Sequence, residues 1–428
     1  MSGPALDARV ADAIGRAHQD DWARVVATLT KRFGDLDIAE EGAAEAFATA
    51  VERWPADGIP PNPGGWLTTT ATRKAIDRIR REKKRDDKYR EALLVADVPD
   101  PHEPLEPLGA IDDERLRLLF TCCHPALAME ARVGLTLRMV GGLTVPEIAR
   151  AFLVQETAMA RRITRAKDKI RDAGIPFRMP SADDLPARVD GVLTVLFLIF
   201  NEGYLATGAG TDPVRADLTA EAIRLTRLIR GLLPEAAASY GEVIGMLALM
   251  LLTDARRAAR VSSSGELVTL DEQDRGAWDA ELIAEGHRLV RERLAAAAAG
   301  VAPGRYQILA AINAVHTSAR DVRDTDWSQI VALYDQLARL DRSPIVALNR
   351  AIAVAELDGP EVALAAVDRL EDSLAGYHAY HTTRAELLRR LGRGRESRAA
   401  YDRAIELAGN TAETAYLTRR RDQLGVRD

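Results

Sequence analysis

The stretch GLTVPEIARAFLVQETAMARRITRAKDKIR at residues 142–171 determines the predicted fold, because it has the pattern of two helices joined by a tight turn. Thr144 followed by Glu147 is a capping box, and Pro146 falls in the first turn, where its missing N–H costs little. The first helix is therefore expected to begin here. Apolar residues then recur at helical spacing, which predicts a buried stripe. The residues assigned to the interior are Ala149, Phe152, Met159, Ile163 and Ile170.

The opposite face of the second helix is basic. Its cationic residues are Arg161, Arg162, Arg165 and Lys169. Groups of this kind meet phosphates and base edges when a helix enters the major groove of DNA. The pattern therefore predicts a DNA-binding helix-turn-helix. The alternative is an amphipathic helix whose arginines only face solvent.

A second basic helix is predicted upstream, in GGWLTTTATRKAIDRIRREKKR at residues 64–85. Residues 66–90 hold ten Lys or Arg against four Asp or Glu, a density that favours nucleic acid through counterion release. A solvated charged face is the alternative for this helix taken alone. Two basic helices in separate units favour a nucleic acid partner. The candidate DNA-binding residues here are Trp66, Arg73, Lys74, Arg78 and Arg81.

An acidic segment separates the two basic units. Residues 91–114 contain eight Asp or Glu, four Pro and no Lys or Arg. Such a segment buries too little apolar surface to order itself, so it is interpreted as a linker. The predicted organisation is a first helical domain at 1–90, a linker at 91–111, a helix-turn-helix domain at 112–178 and a helical extension at 185–428.

Composition supports an all-α protein of several domains. The 428 residues are 47% hydrophobic but only 5% aromatic, and long stretches lack Gly and Pro. The formal charge of -6 argues against a chain that coats nucleic acid along its whole length. The apolar segment VLTVLFLIF at 192–200 is too short to span a bilayer, so it predicts a buried helix. The only cysteines, Cys122 and Cys123, are adjacent and fit a reducing cytoplasm.

The extension shows one internal similarity. Ala363, Val367 and Leu370 are followed about 34 positions later by Ser397, Tyr401 and Ala404, and the turns DGPE at 358–361 and GRGRE at 392–396 also correspond. This spacing predicts stacked helix pairs of the tetratricopeptide kind near 343–421. Asn201, Glu202 and Tyr204, after the most apolar helix, are candidates for a regulatory contact or a signal pocket. A satisfied helix terminus is the alternative.

No metal, cofactor or catalytic residue is predicted. Adjacent cysteines do not easily chelate one ion, and there is no second cysteine pair, so Cys122, Cys123 and His124 are interpreted as a buried helix end. The extension contains no Gly-rich phosphate loop or nucleophile elbow, which argues against an enzyme. The histidines interpreted as core or surface residues are His316, His378 and His381.

Together these segments resemble the extracytoplasmic-function sigma factors of bacteria, a family of RNA polymerase subunits. DLDIAEEGAAEAFATAVERW at 35–54 resembles their second conserved region. NPGGWLTTTATRKAIDRIRR at 62–81 resembles the helix that melts the promoter and reads its minus-ten element, and residues 142–171 resemble the helix-turn-helix that reads the minus-thirty-five element. The remainder resembles the long C-terminal extension of one group of these factors.

The resemblance implies partners and roles. Glu41 and Glu45 would hold the beta-prime clamp of the polymerase core, and the basic helix with Trp66 would engage the unwinding promoter. Separately from the resemblance, the extension is expected to regulate the sigma domains through an intramolecular contact, because stacked helix pairs usually bind other protein segments. No membrane partner is expected. The main alternative is a helix-turn-helix regulator that binds DNA without polymerase and uses its repeat domain to sense a peptide.

Overall fold

The computed structural model describes residues 4–83, 108–152, 154–181, 183–205, 214–235, 237–262, 266–409 and 411–426. Within these ranges the chain consists of nineteen α-helices, short 3-10 turns, connecting loops and one isolated β-bridge between Val261 and Leu267. The predicted all-α class is confirmed. The chain divides into two compact units, Met1–Val195 and Leu196–Asp428.

The first unit opens with three helices, α1 (Pro4–Phe33), α2 (Leu36–Asp57) and α3 (Pro63–Lys83). Gly34 has a φ of 68°, which lets the chain reverse between α1 and α2. Asp35 then caps α2, because its side chain accepts the N–H groups of Asp37 and Ile38. Each of the three helices packs on the other two, around buried residues that include Trp22 and Trp54.

The helix-turn-helix follows α4 (Leu108–Cys122) and α5 (Met129–Met139), and consists of α6 (Val145–Ala151) and α7 (Glu156–Asp172). The N–H of Thr144 donates to Glu147 Oε2 at 2.7 Å, and the N–H of Glu147 donates to Thr144 Oγ1 at 3.4 Å. This confirms the predicted capping box. Of the residues predicted to be interior, Phe152 is half-buried, and the buried ones are Ala149, Met159, Ile163 and Ile170.

Helix α8 (Leu185–Tyr204) carries the predicted buried apolar segment, and the division between the two units falls within it. Val192, Leu193, Val195, Ile199 and Phe200 are each buried. None of the described helices is long and apolar enough to cross a membrane.

The second unit contains the remaining helices, and many of them pack on their neighbours in sequence. They are α9 (Ala216–Leu232), α10 (Tyr240–Asp254), α11 (Ala280–Ala298), α12 (Arg305–Ser318), α13 (Trp327–Leu340), α14 (Pro344–Leu357), α15 (Pro360–Asp368), α16 (Glu371–Leu374), α17 (His378–Arg390), α18 (Gly394–Leu407) and α19 (Thr411–Asp422).

The two similar segments near the C-terminus form two helix pairs, α14 with α15 and α17 with α18. The turn inside each pair holds a glycine with positive φ, 95° at Gly359 and 70° at Gly392. Val367 and Tyr401, which correspond in the two segments, are both buried in one apolar core. The other corresponding residues are buried Ala363, Ser397 and Ala404, and partly buried Leu370.

The predicted linker at 91–111 lies mostly outside the described residues, which omit 84–107. Its interpretation as an acidic tether therefore rests on the sequence. The proposed domain limits likewise remain predictions.

Candidate nucleic-acid interface

Helix α3 carries exposed cationic side chains and, near its N-terminal end, a tryptophan that contacts a second tryptophan. Arg73 and Arg81 are exposed, whereas Trp66 is half-buried, with its ring 5.6 Å from that of Trp54 in an edge-to-face arrangement. Trp54 is almost fully buried, so its ring is a fixed support for Trp66. A supported aromatic ring and exposed arginines on one helix suit a partly unpaired nucleic acid, because stacking and phosphate attraction tolerate unpaired bases.

The other two cations predicted on α3 contact the acidic residues predicted on α2. Arg78 pairs with Glu41, and Lys74 lies 3.8 Å from Glu45. Both carboxylates remain accessible, with side-chain exposures of 48% for Glu41 and 42% for Glu45. Two candidate polymerase-binding residues of α2 therefore contact two candidate DNA-binding residues of α3.

Helix α7 presents a basic face opposite its buried stripe. Arg161, Arg165 and Lys169 are exposed and Arg162 is half-buried. Arg165 Nε donates to the backbone carbonyl of Arg161 at 3.3 Å, so its side chain lies back along the helix surface. These cations have the accessibility that contact with a DNA backbone requires.

A largely buried ion cluster, which the sequence pattern does not predict, joins α2 to the helix-turn-helix domain. Lys167 of α7 donates to Asp37 Oδ1 at 2.8 Å and also to Glu40. Arg138 of α5 donates from Nε to the other oxygen of Glu40 at 2.5 Å. The side chains of Lys167, Glu40 and Arg138 are only 8%, 13% and 14% exposed. We call Asp37, Glu40, Arg138 and Lys167 the bridging cluster.

One signal in the sequence could have identified the bridging cluster. Lys167 lies four residues after Ile163 and three before Ile170, so it falls on the buried stripe of α7. A lysine in such a position needs a buried anion. The sequence alone does not say which anion, because Glu40 is 127 residues away.

Helix α1 contacts the helix-turn-helix domain next to the bridging cluster. Trp22 Nε1 donates to the carbonyl of Arg138 at 3.3 Å, and the Arg138 guanidinium lies 5.6 Å from the Trp22 ring. At Gly142, with a φ of 75°, an added Cβ would lie 2.6 Å from His18 and 3.0 Å from Trp22. Only glycine fits this approach without displacing its neighbours.

The two cysteines are buried thiols. Burial raises the pKa of both, that of Cys123 to about 11, so both stay protonated near neutral pH. Cys123 Sγ is 3.3 Å from Thr136 Oγ1.

Burial also lowers the pKa of His316 to about 4, which keeps this histidine neutral. Within the described residues, no group of three or more His, Cys, Asp or Glu is arranged to hold a metal ion.

The three candidate residues at the end of α8 have different environments. Asn201 is exposed, Glu202 is half-buried, and the ring of Tyr204 stacks on Phe200 with centroids 6.1 Å apart. Tyr204 also contacts Arg260, whose guanidinium lies 3.3 Å from the ring centroid. Tyr204 also lines a cavity of about 310 Å³.

Comparison with known proteins places these features in a family. The sequence matches Sigma-70 region 2 over residues 17–85 and a family of unknown function, DUF6596, over residues 188–294. A protein of Rhizobium meliloti described as uncharacterized is 43% identical over 406 residues, which cover 94% of each chain.

Curated sigma factors from several bacteria match part of the chain. The ECF RNA polymerase sigma factor SigK of Mycolicibacterium vanbaalenii is 28% identical over 170 residues, 38% of this chain and 79% of SigK. SigK of Mycobacterium ulcerans is 27% identical over 171 residues, 38% of this chain and 82% of that protein.

These matches and the helix-turn-helix define a sigma-70 family protein, a class of transcription factors rather than enzymes. The chain belongs to the extracytoplasmic-function sigma factors, in a form with a long helical C-terminal extension. It shares nearly its full length with the Rhizobium meliloti protein.

Proposed function

We propose that the chain binds the RNA polymerase core and directs promoter recognition, promoter melting and the start of transcription. The observation that carries this proposal is the capped helix-turn-helix, whose α7 presents Arg161, Arg165 and Lys169 to solvent, in one chain with a sigma-70 region 2 match. The exposed cations provide the electrostatic attraction that nucleic acid binding requires.

The two basic faces have different roles in this proposal. Helix α7 contacts duplex DNA at the minus-thirty-five element, because a helix-turn-helix inserts its second helix into the major groove. Helix α3 engages the unwinding minus-ten element with Trp66, Arg73 and Arg81, since an aromatic ring flanked by cations can hold an unpaired base. Glu41 and Glu45 contact the beta-prime clamp of the core.

Run-off transcription tests this proposal directly. Purified core polymerase is combined with the full chain on genomic fragments from the source bacterium, and core alone is the control. Transcripts that require the chain are expected. If the chain binds DNA fragments but neither co-purifies with core nor yields transcripts, it acts instead as a helix-turn-helix regulator without polymerase.

Truncation of the exposed arginines of α7 is expected to weaken promoter binding while leaving polymerase binding intact. Arg161→Ala or Arg165→Ala should cost about 1 to 3 kcal/mol for a base contact and less for a phosphate contact. The measurement is promoter affinity by fluorescence anisotropy. Arg178→Ala is the matched control, because Arg178 is exposed but lies beyond the end of α7. If Arg161→Ala, Arg165→Ala and Arg178→Ala all lose the same promoter affinity, the exposed face of α7 is not the DNA-binding surface.

We further propose that the extension regulates the sigma domains by binding them, with Asn201, Glu202 and Tyr204 as part of the contact or of a signal pocket. Stacked helix pairs present surfaces that suit other protein segments. The nearest such segments are those of the same chain.

Separate fragments are expected to associate in a pull-down, and loss of the extension is expected to change the yield of run-off transcripts. The cut falls in the connection before α8, so that Asn201, Glu202 and Tyr204 stay on the extension. The fragments are therefore residues 1–180 and 185–428. Fragments that do not associate, together with unaltered transcription, would make the extension an independent module.

A further inference from the structure

A cavity of about 310 Å³ lies in the extension beside two buried arginines. Arg256 and Arg260 both line it, and each residue is only 8% exposed. Such a volume suits a small molecule rather than a protein segment, since drug-sized ligands fill cavities upward of about 300 Å³. The sequence analysis did not single out either arginine.

Neither Arg256 nor Arg260 forms a close ion pair among the residues that the structure describes, although the neighbouring Arg257 pairs with Asp254 at 3.3 Å. Glu413 attracts Arg260 from beyond ion-pair distance. Arg256 donates from Nη2 to Asn313 Oδ1 at 3.2 Å, while its buried Nε has no hydrogen-bond partner. Arg260 donates to the backbone carbonyl of Tyr204 and stacks on that ring. Both therefore retain capacity to donate.

Burying Arg256 and Arg260 together costs free energy unless an anion is bound between them. A guanidinium taken out of water needs a counter-charge, because the lost hydration is not replaced by neutral partners alone. The two arginines also repel each other. Burial is the main reason that the pKa of Arg260 is lowered, and repulsion from Arg256 adds to it, while Tyr204 and Glu413 act in the opposite direction. The acid on the cavity wall, Glu413, lies 3.8 Å from His378 Nε2.

The remaining walls are suited to the rest of a ligand. Leu267, Leu270 and Leu417 provide apolar surface, and Tyr416 provides an aromatic ring. Gln273 donates from Nε2 to the carbonyl of Val268 at 3.1 Å, and its Oε1 is buried without a partner. The cavity thus combines buried cationic donors with apolar and amide surfaces, the usual composition of a small-molecule site.

We propose that this cavity binds the anionic group of a small molecule, a carboxylate or a phosphate monoester, between Arg256 and Arg260. Arginine is suited to both groups because its planar fork donates two parallel hydrogen bonds to paired oxygens. The apolar wall holds the carbon portion of the ligand. The site gives the extension a binding activity for a metabolite, independent of any contact with polymerase or DNA.

Calorimetric titration of the full chain tests the proposal with two probes, benzoate for the carboxylate and phenyl phosphate for the monoester. At least one is expected to bind saturably, whereas sodium chloride at matched ionic strength is not. Arg256→Gln and Arg260→Gln should each weaken binding by about 10- to 100-fold, the loss expected for a hydrogen bond to a charged group. Arg257→Gln is the matched control and should bind as the unaltered chain does.

The outcomes separate clearly. Binding of one probe alone identifies the anion class, and binding of both establishes the shared oxyanion site. The proposal fails if neither probe binds the unaltered chain, or if the Arg256 and Arg260 variants bind like the Arg257 control. Circular dichroism checks that each variant is folded. If Arg260→Gln does not fold, Arg256→Lys replaces it as the test. This variant keeps the charge but loses the planar fork, and it must still weaken binding of the probe.

Discussion

Replacing Glu40 with alanine is expected to lower the free energy of unfolding of the first unit by about 3 kcal/mol, since removing one partner of a buried ion pair leaves uncompensated charge. Glu40 accepts from both Arg138 and Lys167, so one substitution removes a partner from two buried cations. Asp37 remains on Lys167, which places the effect at the low end of the expected range. The measurement is urea denaturation of the full chain, followed by tryptophan fluorescence.

Glu41→Ala is the matched control for this experiment. Glu41 is adjacent in sequence and also forms an ion pair, but its side chain is 48% exposed. Exposed ion pairs contribute at most about 1 kcal/mol. Similar losses of stability from Glu40→Ala and Glu41→Ala would show that the bridging cluster does not hold the two parts of the first unit together.

Neutralising Glu41 and Glu45 together is expected to abolish detectable association with the polymerase core while the first unit stays folded. Loss of charge partners at a protein interface costs about 2 to 5 kcal/mol, enough to remove a complex from a pull-down. The substitutions are Glu41→Gln and Glu45→Gln. Reversal to lysine is a poorer test, because it would place like charges against Arg78 and Lys74. The measurement is core affinity by biolayer interferometry.

The control for this variant is Asp12→Asn, which neutralises an exposed carboxylate on α1 that pairs with Arg16. If the double variant binds core normally, the contact with the clamp does not involve Glu41 and Glu45. A second measurement is the affinity of the variant for DNA in the absence of polymerase. Because the substitutions release Arg78 and Lys74 from their partners, nonspecific DNA binding by the variant should not decrease.

The features that the sequence could predict are local in the chain. The capping box of Thr144 and Glu147, the buried stripe through Ile163 and the exposed face of Arg161 depend on spacings of three to seven residues, which the helix period fixes. The paired turns at Gly359 and Gly392 are local in the same way. Each of these has the predicted structure.

The features that the sequence could not predict depend on distant packing. The bridging cluster joins residues 127 positions apart, and the pairing of Glu41 with Arg78 depends on how α2 and α3 pack. The cavity of Arg256 and Arg260 likewise needs walls from α8, α17 and α19. In each case the helix period indicates which side of a helix a residue occupies. Which residue it contacts on another helix depends on the tertiary fold.

Helix α7 carries two sets of cations with unequal sensitivity to salt. Arg161 and Arg165 face solvent, where mobile ions would compete with them for phosphate, so the proposed DNA affinity is expected to fall steeply as salt rises. Lys167, on the same helix, is buried against Glu40, where mobile ions have little access. Under the proposed function, rising ionic strength is therefore expected to release DNA from α7 while this helix stays attached to α2. The first unit would then leave a promoter without losing the packing of α7 on α2.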